Sequence, residues 1–213
     1  YAVSRGDFTG DGKLDLTVGQ YSGQTLRHFR GSVSGVFAVS QTLSSLGMIK
    51  SSTTGDFNRD GRLDLVLGRS DGRVQFITNT AASGLVAGPA YVVGASPLGQ
   101  VAAGDLNGDG ALDLVATMPG NDTENKVGVL LNKGTGVFSA TVVYTVETAP
   151  RYAALADFDA DGKLDVATAN YVSNTISLLL NQGAGVLGTP TTITGTAQAT
   201  GLVAQDFDRD GDM

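Results

Sequence analysis

The stretch "DFTGDGKLDL" (Asp7–Leu16) packs three aspartates and two glycines into nine residues. One such turn could be an ordinary solvated loop, but this one returns. "DFNRDGRLDL" starts at Asp56, "DLNGDGALDL" at Asp105 and "DFDADGKLDV" at Asp157, and "DFDRDGDM" opens a fifth copy at Asp206. The starts lie 49, 49, 52 and 49 residues apart, so the chain is a repeat array whose unit is about fifty residues long.

Between acidic loops the fourth period reads "RYAALADF", then "LDVATAN", "TISLLLN" and "VLGTPTTITG", separated by Gly, Asn, Ser and Asp turns. The second and third periods agree, with "LDLVLGR", "VQFITN" and "AYVVG", then "LDLVATM", "KVGVLLN" and "ATVVYTV". Short runs rich in Val, Ile, Leu and Thr between such turns are strands at hairpin spacing, and no window sustains a helical period. Four strands per unit of this length predict an all-β propeller of four-stranded antiparallel blades. Its blades fall at about 1–49, 50–98, 99–150 and 151–199, with an incomplete fifth at 200–213. A sandwich of 49 residues would be too small to hold a core, and solenoid rungs are shorter.

The net charge of −7 is local. Of 21 acidic residues, only Asp71, Asp122, Glu124 and Glu147 lie outside the five loops. No basic stripe is present to neutralise phosphates, so nucleic acid is not an expected partner. No apolar run reaches the length of a membrane span. Without cysteine the redox compartment is unreadable.

Numbered from its first aspartate, each complete loop carries Asp at positions 1, 5 and 9: Asp7, Asp11, Asp15; Asp56, Asp60, Asp64; Asp105, Asp109, Asp113; and Asp157, Asp161, Asp165. Position 3 is Thr9, Asn58, Asn107 or Asp159, and position 6 is always glycine. The partial copy offers Asp206, Asp208 and Asp210. Alternate oxygens around a sharp glycine bend enclose a hard cation, with the position-7 carbonyls of Lys13, Arg62, Ala111 and Lys163 as further ligands. Three carboxylates so close repel one another unless something positive lies between them. Calcium is the expected ion, about one per blade, because magnesium prefers a tighter octahedron and softer metals want His or Cys. An EF-hand is excluded: position 12 is Val18, Leu67, Ala116 or Thr168 instead of Glu, and the flanks are strand-like.

A strand, D-x-[DNT]-x-D-G-x-L-D and a second apolar strand at this spacing resemble the FG-GAP/VCBS-type repeats of integrin α-subunits and many secreted bacterial proteins. "NKGTGVF" (Asn132–Phe138) and "NQGAGVL" (Asn181–Leu187) resemble the third turn of that family. The resemblance implies an extracellular propeller with calcium between the first two strands of each blade and a partner on the opposite face. It also implies about seven blades, so these residues are expected to belong to a larger ring, or to self-associate as a fragment. The function expected is adhesion or protein interaction, with a lectin, or the accessory propeller of a secreted enzyme, as the alternative.

No enzyme is expected. His28, the only histidine, has no acidic or nucleophilic neighbour in sequence, and Arg27 and Arg30 beside it suggest a solvated strand face. Carboxylates committed to an ion cannot serve as the acid pair of a glycosidase. The turns between second and third strands vary most: "QYSGQ", "RSDGR", "MPGNDTEN" and "NYVSN". A protein or glycan ligand is therefore expected to draw on Arg69, Asp71, Arg73, Asp122 and Glu124, with Tyr21 and Tyr171 available for stacking or turn packing.

Overall fold

The computed structural model describes residues 2–195 and 197–205. It holds four separate four-stranded antiparallel sheets, each in simple meander order. The first comprises β1 (Ala2–Gly6), β2 (Asp15–Gln20), β3 (Thr25–Gly31) and β4 (Phe37–Leu43). The second comprises β5 (Ile49–Gly55), β6 (Asp64–Arg69), β7 (Arg73–Thr80) and β8 (Gly84–Val92). In the third are β9 (Val101–Gly104), β10 (Asp113–Met118), β11 (Lys126–Leu130) and β12 (Val142–Thr145). The fourth has β13 (Pro150–Ala156), β14 (Asp165–Asn170), β15 (Thr175–Leu179) and β16 (Thr191–Thr194). The run "VLGTPTTITG" is a strand only at its end: Leu187 makes a lone bridge to Asn181, and β16 begins after Pro190.

The first strands of successive sheets, β1, β5, β9 and β13, are neighbours, so the sheets fan out as blades with their first strands innermost. Burial follows from that placement. β2 of the first blade is buried only at alternate residues, but the second strands of the middle blades, β6 and β10, are covered on both faces, and Leu65, Val66 and Leu67 of β6 are all fully buried. That is why these strands read as continuous apolar runs and not as alternating ones. Fourth strands form the outer edge; every residue of β16 is exposed.

The apolar cores lie between blades. Phe8 and Leu26 of the first blade pack with Ile49, Leu65 and Leu67 of the second. Phe57 and Phe76 meet Leu114, Leu130 and Phe138 of the third. Leu106 and Val115 meet Val166, Leu179 and Leu187 of the fourth. At the strand end Gly55 lies against the Leu112 side chain of the following blade.

The long third turn holds a short 3-10 segment at Gly120–Asp122, where Asn121 and Asp122 both have positive φ. His28 corrects the expectation of a solvated face, since it is buried. Its Nδ1 lies 2.7 Å from Ser40 Oγ and its ring meets Phe8 edge-on at 5.7 Å. In the second blade Phe76 makes the same edge-on contact with Phe57, so His28 fills an aromatic core position.

Candidate metal centre

The four complete acidic loops join the first and second strands, and each closes on one pair: Gly6 with Asp15, Gly55 with Asp64, Gly104 with Asp113 and Ala156 with Asp165. The position-9 aspartate is therefore already the first residue of the second strand, and all four are fully buried. One carboxylate oxygen accepts the N–H of position 2: Phe8 at 3.1 Å, Phe57 at 3.2 Å, Leu106 at 2.9 Å and Phe158 at 2.9 Å. The other accepts a backbone N–H from the end of the third strand: Gly31 at 2.8 Å, and Asn79, Asn132 and Asn181 at 2.7 Å each.

The position-1 aspartate shapes the turn. Asp7, Asp56, Asp105 and Asp157 accept the N–H of the position-6 glycine at 2.7–2.8 Å and that of position 5 at 3.0–3.2 Å. The glycines Gly12, Gly61, Gly110 and Gly162 sit at φ between 79° and 85°, where a side chain would be strained. The position-5 aspartates accept the N–H of position 7, namely Lys13, Arg62, Ala111 and Lys163.

Among the described residues, loop four gathers its carboxylates most closely. Oxygens of Asp157, Asp159 and Asp165 all lie within 4.8 Å of one another. The remaining carboxylate, Asp161, is turned to Lys163. In loop one Asp11 is held by Arg30 at 2.9 Å and Lys13 at 3.1 Å, which keep its carboxyl down at about 2. In loops two and three the position-3 amides donate to position 5, Asn58 to Asp60 at 3.1 Å and Asn107 to Asp109 at 3.0 Å. Asp206, Asp208 and Asp210 lie outside the described residues.

Burial pushes the Asp64 carboxyl up to about 6, and the Asp60 and Asp56 charges add to the rise. Asp113 is raised for the same reasons. These carboxylates are short of positive charge. An oxygen-only donor set, preset by backbone hydrogen bonds and strained by its own charge, fits a hard divalent cation.

Sequence reasoning missed the asparagines at 79, 132 and 181. Each side chain reaches the preceding blade and donates to a position-2 carbonyl: Asn79 to Phe8 at 2.8 Å, Asn132 to Phe57 at 2.8 Å and Asn181 to Leu106 at 2.7 Å. The available signal was that each closes its third-strand run, in "VQFITN", "KVGVLLN" and "TISLLLN", at 15, 19 and 16 residues after the position-9 aspartate.

At the opposite end of the blades the residues expected to meet a ligand are engaged with one another. Asp71 accepts from Arg69 at 2.6 Å and from Arg73 at 3.3 Å. Asp122 accepts both Nε and Nη2 of Arg151, at 3.0 and 2.6 Å, and Glu124 accepts from Ser96. The Arg151 guanidinium lies 3.6 Å from the Tyr171 ring centre, and Lys50 lies 5.5 Å from that of Tyr21. A cavity of about 670 Å³ opens here, lined by Lys50, Gln100, Asn121, Asp122, Arg151 and Tyr152 among others.

Residues 7–67, 56–116, 105–168 and 157–213 each match the model of the FG-GAP-like repeat. The chain belongs to the FG-GAP-like repeat family. Each matched span runs from one acidic loop through the next, so the FG-GAP unit includes the junction between blades. No curated protein matches the chain in sequence. Among solved structures it is similar to BBS1N, determined in complex with ARL6DN, with TM-score 0.66 and 14% identity over 92% of this chain and 57% of that one. It is similar to an Agrocybe aegerita lectin described for specific recognition of non-reducing terminal N-acetylglucosamine, with TM-score 0.58 and 22% identity over 89% and 51%. A protein from Lactobacillus plantarum matches with TM-score 0.59 and 18% identity over 84% and 54%. The chain thus spans little more than half of each of these structures, and at such identities the likeness is one of fold. That fold is a β-propeller of four-stranded antiparallel blades.

Proposed function

We propose that the chain is a calcium-stabilised extracellular propeller that works as a protein-interaction or adhesion module, without catalysis of its own. The observation that carries the calcium reading is the convergence of Asp157, Asp159 and Asp165 oxygens within 4.8 Å in a loop whose backbone recurs three more times. A bound calcium ion supplies the positive charge that these carboxylates lack. Positions 1, 3 and 9 of loop four offer side-chain oxygens towards it, position 5 would join them by turning from Lys163, and the position-7 carbonyls would supply backbone oxygens. The buried position-9 carboxylate then ties the loop to the third strand. Membership of the FG-GAP-like family supports both the ion and an extracellular setting. Among the described residues no helix is long and apolar enough to cross a membrane.

The partner surface is the end opposite the acidic loops, where blade-specific charge surrounds the cavity at Lys50, Asp122 and Arg151. A second reading, a lectin, draws on the fungal lectin's likeness of fold. The cation held over Tyr171 covers one face of that ring, which favours the protein partner. Differential scanning with and without chelator tests the calcium reading. An ion present at a hundredfold excess over its dissociation constant adds about 2.7 kcal/mol per site. The melting temperature is expected to fall by many degrees in EDTA, and a melt indifferent to chelation refutes the reading. A glycan array beside a pull-down on the intact protein separates the two ligand classes.

A further inference from the structure

The hydrogen bonds around the position-9 aspartates join end to end. Asp15 holds the Phe8 N–H, and the Phe8 carbonyl accepts from the Asn79 side chain at 2.8 Å. The Asn79 N–H is held in turn by Asp64, which also holds the Phe57 N–H. The Phe57 carbonyl accepts from Asn132, whose N–H is held by Asp113, which holds the Leu106 N–H. The Leu106 carbonyl accepts from Asn181, whose N–H is held by Asp165, which holds the Phe158 N–H. The line passes through all four complete loops, and the three asparagines are 2–3% exposed.

Two features make the line a connection and not a row of independent contacts. Each asparagine is anchored by its N–H within one blade and donates through its amide into the blade before it. Phe8, Phe57 and Leu106 are each gripped on both sides, by their own loop at the N–H and by the next blade at the carbonyl. Asn132 and Asn181 also donate to the position-8 carbonyls of their own loops, Leu112 at 3.1 Å and Leu164 at 2.9 Å. A position-9 carboxylate displaced by its neighbours' charge therefore moves an asparagine that the preceding loop needs. Little slack is available in a buried network, where each lost partner leaves an unsatisfied group.

We infer that Asn79, Asn132 and Asn181 are positioning residues that couple ion binding between successive acidic loops, so that filling one loop strengthens the loop before it. This rests on the calcium reading above. The sign is distinctive. Direct repulsion between bound ions would make neighbouring loops oppose one another, whereas the relay makes them cooperate. Couplings of this kind commonly amount to about 5–150-fold in affinity.

The position-6 glycine amides give one reporter per loop, and calcium can be titrated while ¹H–¹⁵N spectra follow Gly12, Gly61, Gly110 and Gly162. Asp159 is exposed, so Asp159→Ala weakens loop four without threatening the fold. The expected result is a higher calcium midpoint at Gly162 together with a rise of about fivefold or more at Gly110, whose own ligands are untouched. Gly12, three blades away, should stay within about twofold. In an Asn181→Ala background, Asp159→Ala should no longer move Gly110. An unmoved or lowered Gly110 midpoint in the single variant overturns the coupling even if Asn181→Ala fails to fold. A wild-type protein in which no loop amide responds to calcium overturns the calcium reading, and the coupling with it.

Discussion

Replacing Asp113 by alanine should destabilise the protein even when no calcium is present. Its carboxylate is fully buried and accepts two backbone N–H groups, Leu106 at 2.9 Å and Asn132 at 2.7 Å. Each buried donor left without a partner costs about 1–3 kcal/mol, so the two together cost about 2–6 kcal/mol. Removing a carboxyl that burial already holds above its usual range returns part of that, which leaves about 2–4 kcal/mol. In a chain of this size each kcal/mol moves the melting temperature by about 2–4 °C, so a fall of about 4–16 °C is expected. Asp109 of the same loop is the control. It is exposed, and Asp109→Ala in calcium-stripped protein should shift the melt by no more than about 2 °C. Calcium should then lower both variants relative to wild type, since each has lost a ligand. Equal melting temperatures for the two variants without calcium would refute a scaffolding role for position 9.

Loop four carries a fourth carboxylate through Asp159 where loop one has Thr9, so it should hold calcium more tightly; equal occupancy of the two sites at limiting calcium counts against this. His28→Phe should leave stability unchanged or raise the melting temperature by a few degrees. The buried Nε2 has no hydrogen-bond partner and only Asp15 Oδ2 at 3.6 Å beside it, and Phe76 shows that phenylalanine fits the equivalent place; a clear loss of stability would show that the Ser40 hydrogen bond and the Asp15 contact dominate. Calcium-free protein should lose stability as pH rises from about 4 to about 6. The folded state holds the Asp64 proton more tightly than the unfolded chain does, and that advantage vanishes as pH passes about 6. A urea midpoint that rises between pH 4.5 and pH 7 in stripped protein would contradict it.

The repeat, the strand order and the loop backbone were legible because each is local. Alternating Asp and Gly at fixed offsets dictates one tight turn, and the apolar runs on either side can only be strands. Links between blades were not legible in the same way. Asn181 meets Leu106 across 75 residues, and nothing in "NQGAGVL" says which carbonyl its amide will find. His28 looked solvated beside two arginines, yet strand alternation turns Arg27 outward and His28 inward, onto Phe8. Charged residues in the variable turns suggested a free surface, whereas Arg151 crosses from the fourth blade to close Asp122 of the third. Sequence names the groups, and packing decides their partners.

The backward reach of the asparagines also sets a timetable for synthesis. Asn79 follows the Phe8 carbonyl it grips by 71 residues, and Asn132 and Asn181 follow theirs by 75. At about 5–20 residues per second, a nascent acidic loop waits about 4–15 s before its clasp emerges from the ribosome. During that interval its position-2 carbonyl is bare and the adjoining apolar face is uncovered. A blade made on the ribosome is therefore finished by its successor, and slow translation through one repeat leaves the repeat before it open.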